Sequence, residues 1–520
     1  MKRIMIRSGF LVLLILCLSA CASAGKIKED GWEYEFSHQD DIKIAVITRY
    51  NPVEDSPQTL VVPDELGGCP VGRISAGCFN DYRINENWLS SKITSPKTLV
   101  LPAGVLSVEP DAIQYSGLEE IRIENGTHYD TVDGVLFERA TNTLVAYPHG
   151  RKDKTYAIPE GTRIVGSKAF GWVKNLEEVQ VPETVRVFRK NAFYLSSLRL
   201  NIPESMEEIE ESAFYYALIT SASPRFQVTD DCLIDMETKT LLTLSDRYGR
   251  YNVRTYIIPE GVERIGEGAL AGIHCNRFIL PSTLKEIGND NRLYEVKSGI
   301  LVFPEGLETI GDYFSADGVK KLVFPSSLRS IGSSCFSSNK DLETVWFREG
   351  IESIGMGSFR DNGKLESARL PASLKTMPDS GLPDFLPFAE CPNLTAVVPP
   401  GSAAEHYCRM QGIPVRNPAF GLWQADAKEA EEILSLPGAE NVRFRLDRDT
   451  LELTYLLDGT AEKREIYEIS WNGLWLEMSE GYMKYTLVET YSDNNEPAGE
   501  QLVLTIGEAE MHLARIEEEP

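Results

Sequence analysis

Along most of the chain, apolar and polar positions recur with a period of about 22 residues. The repeating phrase is an apolar pair, proline, two or three residues, Leu or Val, two residues, Ile-Gly, then a small residue and Phe. One copy reads Ile158-Pro159-Glu160-Gly161-Thr162-Arg163-Ile164-Val165-Gly166-Ser167-Lys168-Ala169-Phe170, and another runs from Ile258-Pro259 to Ala269-Leu270. Phe303-Pro304 to Ile310-Gly311 and Phe324-Pro325 to Ile331-Gly332 continue it. The anchoring prolines are Pro159, Pro182 and Pro203, then Pro259, Pro281, Pro304 and Pro325, then Pro371, with local spacings of 23, 21, 22, 23 and 21 residues. Arg348 holds the proline place 23 residues after Pro325 and 23 before Pro371. Pro63 and Pro102 begin earlier copies, and Pro399 closes a last one.

Within a unit, Leu176-Glu177-Glu178-Val179-Gln180-Val181-Pro182 alternates outward polar with inward apolar residues, which predicts a short strand. Proline ends it because it cannot donate to the ladder. A turn follows, then Val or Leu and Ile point inward. Glycine is expected to permit a tight bend, and the Ala-Phe pair is expected to plug the core from a short helical turn. One unit cannot bury its own apolar side, whereas stacked neighbours bury a continuous core, so the period predicts a solenoid.

Two longer intervals, Pro102 to Pro159 and Pro203 to Pro259, carry a related inserted phrase. Tyr129-Asp130-Thr131-Val132-Asp133-Gly134-Val135-Leu136-Phe137 with Asn142 to Pro148 is the first, and Phe226 to Ile234 with Thr240 to Leu244 is the second. Alternation around Asp133-Gly134 and Asp230-Asp231 predicts β-hairpin insertions.

The consensus Ile-Pro-x-x-Val-x-x-Ile-Gly-x-x-Ala-Phe, with the Val-Asp-Gly-Val-Leu-Phe insertion, resembles the BspA-type leucine-rich repeats of bacterial surface proteins. The resemblance covers roughly residues 30–416. Gly31 to Ile74 resembles that family's N-terminal cap, and Pro399 to Val415 its terminal helix and final strand. Register is least regular around Leu101–Ile113, Arg186–Phe193 and Leu374–Phe388. The resemblance implies binding to host proteins or to other cells, as in adhesion.

After Asn417-Pro418 the repeat stops. Alternating runs at Asn441–Asp447, Leu451–Leu457, Arg464–Trp471, Leu474–Met478, Met483–Tyr491, Gln501–Ile506 and Ala509–Ile516 are separated by turn residues such as Asp458-Gly459 and Asn472-Gly473. Short, evenly spaced strands predict a small antiparallel β-barrel or sandwich. Phe420-Gly421-Leu422-Trp423, a helix over Lys428–Leu436 and then strands look like a lipocalin-like barrel. Such a barrel either fills with side chains or holds a small apolar ligand.

At the other end, Lys2, Arg3 and Arg7 precede the apolar run Phe10–Leu18, too short to span a bilayer. This reads as a secretory signal over 1–20. Leu18-Ser19-Ala20-Cys21 resembles the bacterial lipobox, which implies lipidation of Cys21 and a tether over 21–29. A diacyl group anchors stably because it carries more than one chain. The expected location is the extracytoplasmic face of the cell membrane. The domain plan is therefore signal 1–20, tether 21–29, repeat solenoid 30–416 and β domain 417–520.

Net charge is −26. An acidic body with no basic stripe disfavours nucleic acid as a partner. Seven cysteines remain beyond Cys17 and Cys21, an odd number with no CxxC pair. Cys69 with Cys78, and Cys391 with Cys408, are spaced for local pairing, but free thiols behaving as small core hydrophobes are favoured. Neither the six histidines nor the glycines form a zinc, nucleophile-elbow or phosphate-loop motif. His274-Cys275 is a lone neighbour pair. Asp230-Asp231 and Asp493-Asn494-Asn495 lack the spaced ligands of a calcium loop and read as turns. No catalytic residue, cofactor or metal is expected. The alternation leaves Arg122, Glu178, Gln180, Arg199, Lys321 and Arg348 as candidates for an outward binding face, with a protein or glycan as partner. The alternative expectation is a surface lipoprotein that carries a small apolar ligand in its C-terminal barrel.

Overall fold

The computed structural model describes residues 26–39, 41–51, 58–79, 96–113, 117–215, 217–245, 254–294, 296–297, 299–378 and 385–416, together with the strands between 421 and 516. The signal, Cys21, the helix expected over 428–436 and the turn at 493–495 lie outside the described residues. Two compact units emerge. The first is Met1–Gly249 with Gly266–Ala269, and the second is Arg250–Ile265 with Leu270–Pro520.

The first unit opens on an antiparallel meander of Ile27–Glu29, Trp32–Gln39 and Ile42–Tyr50. Ile27–Glu29 therefore belongs to the cap, not to the tether expected over 21–29. Parallel coils follow. Thr59–Val61, Thr98–Leu101 and Glu120–Ile123 pair in one sheet, and Thr155–Ala157, Glu178–Gln180, Arg199–Ile202 and Leu218–Ser221 in another. Opposite them runs a ladder of two-residue strands, Ile164–Val165, Val187–Phe188 and Glu208–Ile209.

Each insertion is a three-stranded antiparallel meander rather than a simple hairpin. Tyr129–Val132, Val135–Glu138 and Thr143–Ala146 form the first, and Thr143–Ala146 then pairs parallel with Ile164–Val165. Phe226–Thr229, Cys232–Asp235 and Thr240–Leu244 form the second. Both tight turns hold two left-handed residues, Asp133 (φ 49°) with Gly134 (φ 72°) and Asp230 (φ 50°) with Asp231 (φ 62°). Paired positive φ values are the type I′ geometry that matches strand twist. They account for Asp230-Asp231 as turn residues.

In the second unit, Ile300–Val302, Lys321–Phe324, Thr344–Phe347, Ser367–Arg369, Thr395–Val397 and Val415–Arg416 form one parallel sheet. Arg264–Ile265, Glu286–Ile287, Thr309–Ile310, Ser330–Ile331 and Ser353–Ile354 form the short ladder. The helix Ala403–Met410 closes the repeats. Ser402 caps it by accepting from the Glu405 amide at 3.1 Å, and the Glu405 carboxylate accepts from the Gly401 amide at 2.7 Å. This reciprocal arrangement is a capping box displaced by one residue at its return contact. Beyond it, eight antiparallel strands from Gly421–Ala425 to Ala509–Ile516 pair in chain order. The last also pairs with the first, closing a barrel.

Stacking distance explains the repeat's invariant chemistry. Backbones of neighbouring coils meet at the strand spacing of about 4.8 Å. The amide of Gly355 donates to Ile331 O and that of Gly332 to Ile310 O, each at 2.8 Å. A Cβ at Gly355 would stand 2.5 Å from the Ser333 nitrogen, and one at Gly332 would stand 2.6 Å from the Asp312 nitrogen. The repeat glycine is thus needed for close approach to the preceding coil, not for a bend.

The segment between glycine and Phe is a non-helical turn, which corrects the expected helical one. The residue before the small-residue position is left-handed in coil after coil: Lys168 (φ 58°), Asn191 (φ 61°), Ser212 (φ 58°), Ser334 (φ 56°) and Gly357 (φ 63°). For residues other than glycine this costs about 1–2 kcal/mol. The conformation turns the amide along the stack, so Asn191 donates to Ser212 O at 3.0 Å and Ser334 to Met356 O at 2.7 Å. A helical turn would aim those amides within their own coil.

The phenylalanines stack in register. Phe170, Phe193 and Phe214 lie parallel at 5.4 Å steps in the first unit. In the second, Phe303, Phe324 and Phe347 stack at 4.9 and 4.6 Å, and Phe336, Phe359 and Phe388 at 5.5 and 5.3 Å. Buried asparagines bridge coils: Asn362 Nδ2 donates to Phe336 O and Phe359 O, and its Oδ1 accepts from the Asn339 amide. Each buried amide is thereby satisfied, as interior polar groups must be. Cys69, Cys78, Cys232, Cys275, Cys335, Cys391 and Cys408 are all unpaired, and all but half-buried Cys391 are buried. Burial pushes the Cys275 and Cys391 thiols up to about 11, as expected of unreactive core thiols.

Two outcomes are expected. Gly355→Ala should cost about 1–3 kcal/mol in urea unfolding because its Cβ meets backbone. Gly363→Ala, with nothing within 4 Å of its Cβ, should change stability by less than about 0.5 kcal/mol. The second concerns Asp235, to which Arg225 donates from Nε at 3.0 Å and Nη2 at 2.8 Å. Burial alone would raise its carboxyl, but Arg225 and the Glu237 amide hold it below the ordinary 3.8. A depressed carboxyl contributes stability above its unfolded value and loses it as pH falls through the folded one. Asp235→Asn should therefore lower stability by about 1.5 kcal/mol at neutral pH. That gap should close as pH drops below about 3.8, read from urea midpoints across pH.

Candidate binding surface

Alternation along the main strands sends every second side chain outward, and the two units dress that side differently. In the first unit, register aligns Thr155, Glu178, Arg199 and Leu218 in one outward row. Ala157, Gln180, Asn201 and Thr220 make a second row, and all four are exposed. The Thr220 hydroxyl donates to Asn201 Oδ1 at 2.9 Å across the strands. Four strands at about 4.8 Å spacing make a polar wall about 14 Å wide. On the neighbouring sheet Arg122 is exposed and pairs with Glu120 at 2.8 Å.

In the second unit the outward rows are Ile300, Lys321, Thr344, Ser367 and Thr395, and Val302, Val323, Trp346, Arg369 and Val397. The latter row is apolar at most positions. The Lys321 ammonium lies 4.3 Å from the Trp346 ring centre and the Arg369 guanidinium 5.5 Å from it, within range of cation–π attraction.

The six sequence candidates therefore do not form one surface. Gln180 and Arg199 share the polar wall with half-buried Glu178, and Arg122 stands on the adjacent sheet. Lys321 is half-buried against Trp346. Arg348 follows the strand Thr344–Phe347 instead of standing within it, and its guanidinium engages the Glu305 carboxylate. It belongs to the coil's corner, which corrects its placement on the sheet face. Asn201, Thr220 and Ala157 complete the wall. They were missed because alternation along single strands does not say which outward residues lie side by side, whereas strand register finds the row.

Many remaining surface charges pair one coil apart: Lys154 with Glu177 at 2.7 Å, Lys285 with Glu263 at 2.6 Å, Lys320 with Glu343 and Lys364 with Asp341 at 2.9 Å. Such exposed pairs are each worth about 0–1 kcal/mol and mainly favour the native register. His274 and Cys275 point to opposite sides of their strand. His274 stacks on Tyr294 at 5.3 Å while Cys275 is buried. Among the described residues, no group of three or more His, Cys, Asp or Glu side chains is arranged to hold a metal ion. No described helix is long and apolar enough to cross a membrane.

The family described as "BspA type Leucine rich repeat region" matches residues 149–230, 246–314 and 263–395, in six copies. No curated protein matches the chain. Among solved structures, a leucine rich cell surface protein from Faecalibacterium prausnitzii is 18% identical, covering 74% of this chain and 98% of that one at a TM-score of 0.41. The pneumococcal vaccine antigen PcpA is 15% identical, covering 76% and 98% at 0.40. A leucine-rich repeat protein from Eubacterium ventriosum is 15% identical, covering 66% and 84% at 0.40. Residues 149–230 and 246–395, where coil period, glycine contacts and aromatic stacks recur, are thus similar to a BspA-type leucine-rich repeat region.

Proposed function

We propose that this chain is a lipid-anchored cell-surface protein that binds proteins or glycans through the outward strands of its repeats, in adhesion or contact with host or neighbouring cells. The observation that carries the proposal is the exposed row Ala157, Gln180, Asn201 and Thr220 beside Glu178 and Arg199. It is a rigid polar wall built on parallel strands, with its backbone hydrogen bonds already satisfied. Repeat scaffolds of this kind suit broad contacts that are weak per unit area. The matched repeat family supports the same role. In this reading the chain is a scaffold rather than an enzyme, and reproducible turnover in a broad hydrolase screen would overturn that.

The lipid anchor rests on Leu18-Ser19-Ala20-Cys21 after a basic and apolar leader. Cys21→Ala should abolish metabolic labelling with palmitate and move the protein from the membrane to the soluble fraction. A variant that stayed membrane-bound would refute the anchor.

A second reading is favoured by the backbone closure of the eight C-terminal strands. A lipocalin-like barrel of that size has room for one small ligand. Native mass spectrometry of the purified chain should then show a co-purifying apolar molecule, and a barrel that is always empty counts against carriage.

For the binding surface, the leaderless chain would be immobilised and exposed to surface extracts of host and bacterial cells. Arg199→Glu combined with Gln180→Lys should cut capture of a reproducible partner roughly tenfold or more, the loss of one binding hot spot. The urea midpoint should stay unchanged. Undiminished capture by a folded variant would remove this wall from the site.

A further inference from the structure

Three members of the outward row of the second unit are buried where an outward row should be wet, and Val302 and Trp346 between or beside them are half-buried. Val323 is 1% exposed, Val397 8% and Arg369 9%. Strand register places all three on the side away from the repeat core, because their neighbours Leu322, Ala368 and Ala396 face inward at 0–1%. Trp346 and Lys321 lie beside Val323 and shield part of it. Trp346 also lies against the Arg369 guanidinium, whereas Val397 stands two strands from Trp346 and is still only 8% exposed. Exposure on the same side is 56% at Ile257, and Arg416, the member of the row on the last strand, is exposed, so the burial runs from Val323 to Val397. Apolarity here is not a property of the repeat, since the equivalent row of the first unit is Ala157, Gln180, Asn201 and Thr220, all exposed.

We infer that this row is the seat of the chain's own C-terminal barrel, residues 421–516. Two observations select that occupant. The first is tether length. The last repeat strand ends at Arg416 and the first barrel strand starts at Gly421, a reach of at most about 17 Å. The strands from Val415–Arg416 back to Thr344–Phe347 span about 14 Å, so the barrel is held over this row at high effective concentration. The second is charge. Residues 417–520 contain 23 Asp and Glu against 8 Lys and Arg. The row and its borders present Lys321, Arg369 and Arg416 around Trp346 and the valines. A stripe rimmed by cations is complementary in charge to an acidic body, and it leaves the polar wall of the first unit for external partners.

The test uses the full chain carrying Cys21→Ala and a site-specific protease sequence at 417–420. After cleavage at micromolar concentration the two parts should co-elute as one species with the mass of a single chain. Val323→Glu with Arg369→Glu should release the barrel, and Arg369→Glu alone should weaken retention at least tenfold, more so at high salt. Cleaved native parts that separate, or variant parts that still co-elute, would overturn the inference. So would a mass of two chains before cleavage that is lost with Val323→Glu, which would make a second copy the occupant. Zero-length carbodiimide crosslinking of the uncut native chain is independent of whether the variants fold. It should join Lys321 to an acidic residue of 421–516 within one chain, and absence of that crosslink would also refute the docking.

Discussion

Contact between successive backbones at strand spacing is the constraint from which the repeats follow. A single coil has no interior, and its Ile, Leu and Phe side chains leave water only when the next coil arrives. Stacking in turn dictates local chemistry. Glycine stands where a Cβ would strike the preceding coil, as at Gly355 and Gly332. Left-handed residues stand where amides must point along the stack. Phenylalanines and asparagines recur where each copy meets its own image one coil away. The strain of a left-handed Asn191 or Ser334 is offset by a hydrogen bond that only the assembled stack supplies.

The same constraint leaves the outer surface free to vary. Inward positions are tied to a shared core, whereas an outward residue needs only to tolerate a strand. The two units have used this freedom in opposite ways. The first presents Gln180, Asn201 and Thr220 to water, and the second sets buried Val323 and Val397 beside half-buried Trp346. A binding function for one wall and an internal docking role for the other are compatible because neither disturbs the core they share in design.

Part of this was legible in the residue pattern. Alternation in Leu176 to Pro182 located a strand, the proline spacing located its copies, and Asp133-Gly134 located a turn. The reason for each residue was less legible. Glycine before the turn suggested bending, because its conformational freedom is a property of one residue, while the clash that requires it involves Gly332 and Gly355 in different coils. The Ala-Phe segment suggested a helical turn because its short spacing suits one. The orientation of its amides depends on acceptors 21–22 residues away. Arg348 looked like a face residue by position, and its pairing with Glu305 two coils back reassigned it.

By itself, the sequence determined that the chain repeats, how long each unit is, and which side of every strand looks inward, since periodicity is local and each copy restates it. Only the tertiary structure decided which outward residues meet solvent, which amides run along the stack, and that Asn201 and Thr220 complete a wall with Gln180. Those facts depend on what lies beside a residue in space, and in a solenoid that neighbour is at least one full coil away along the chain.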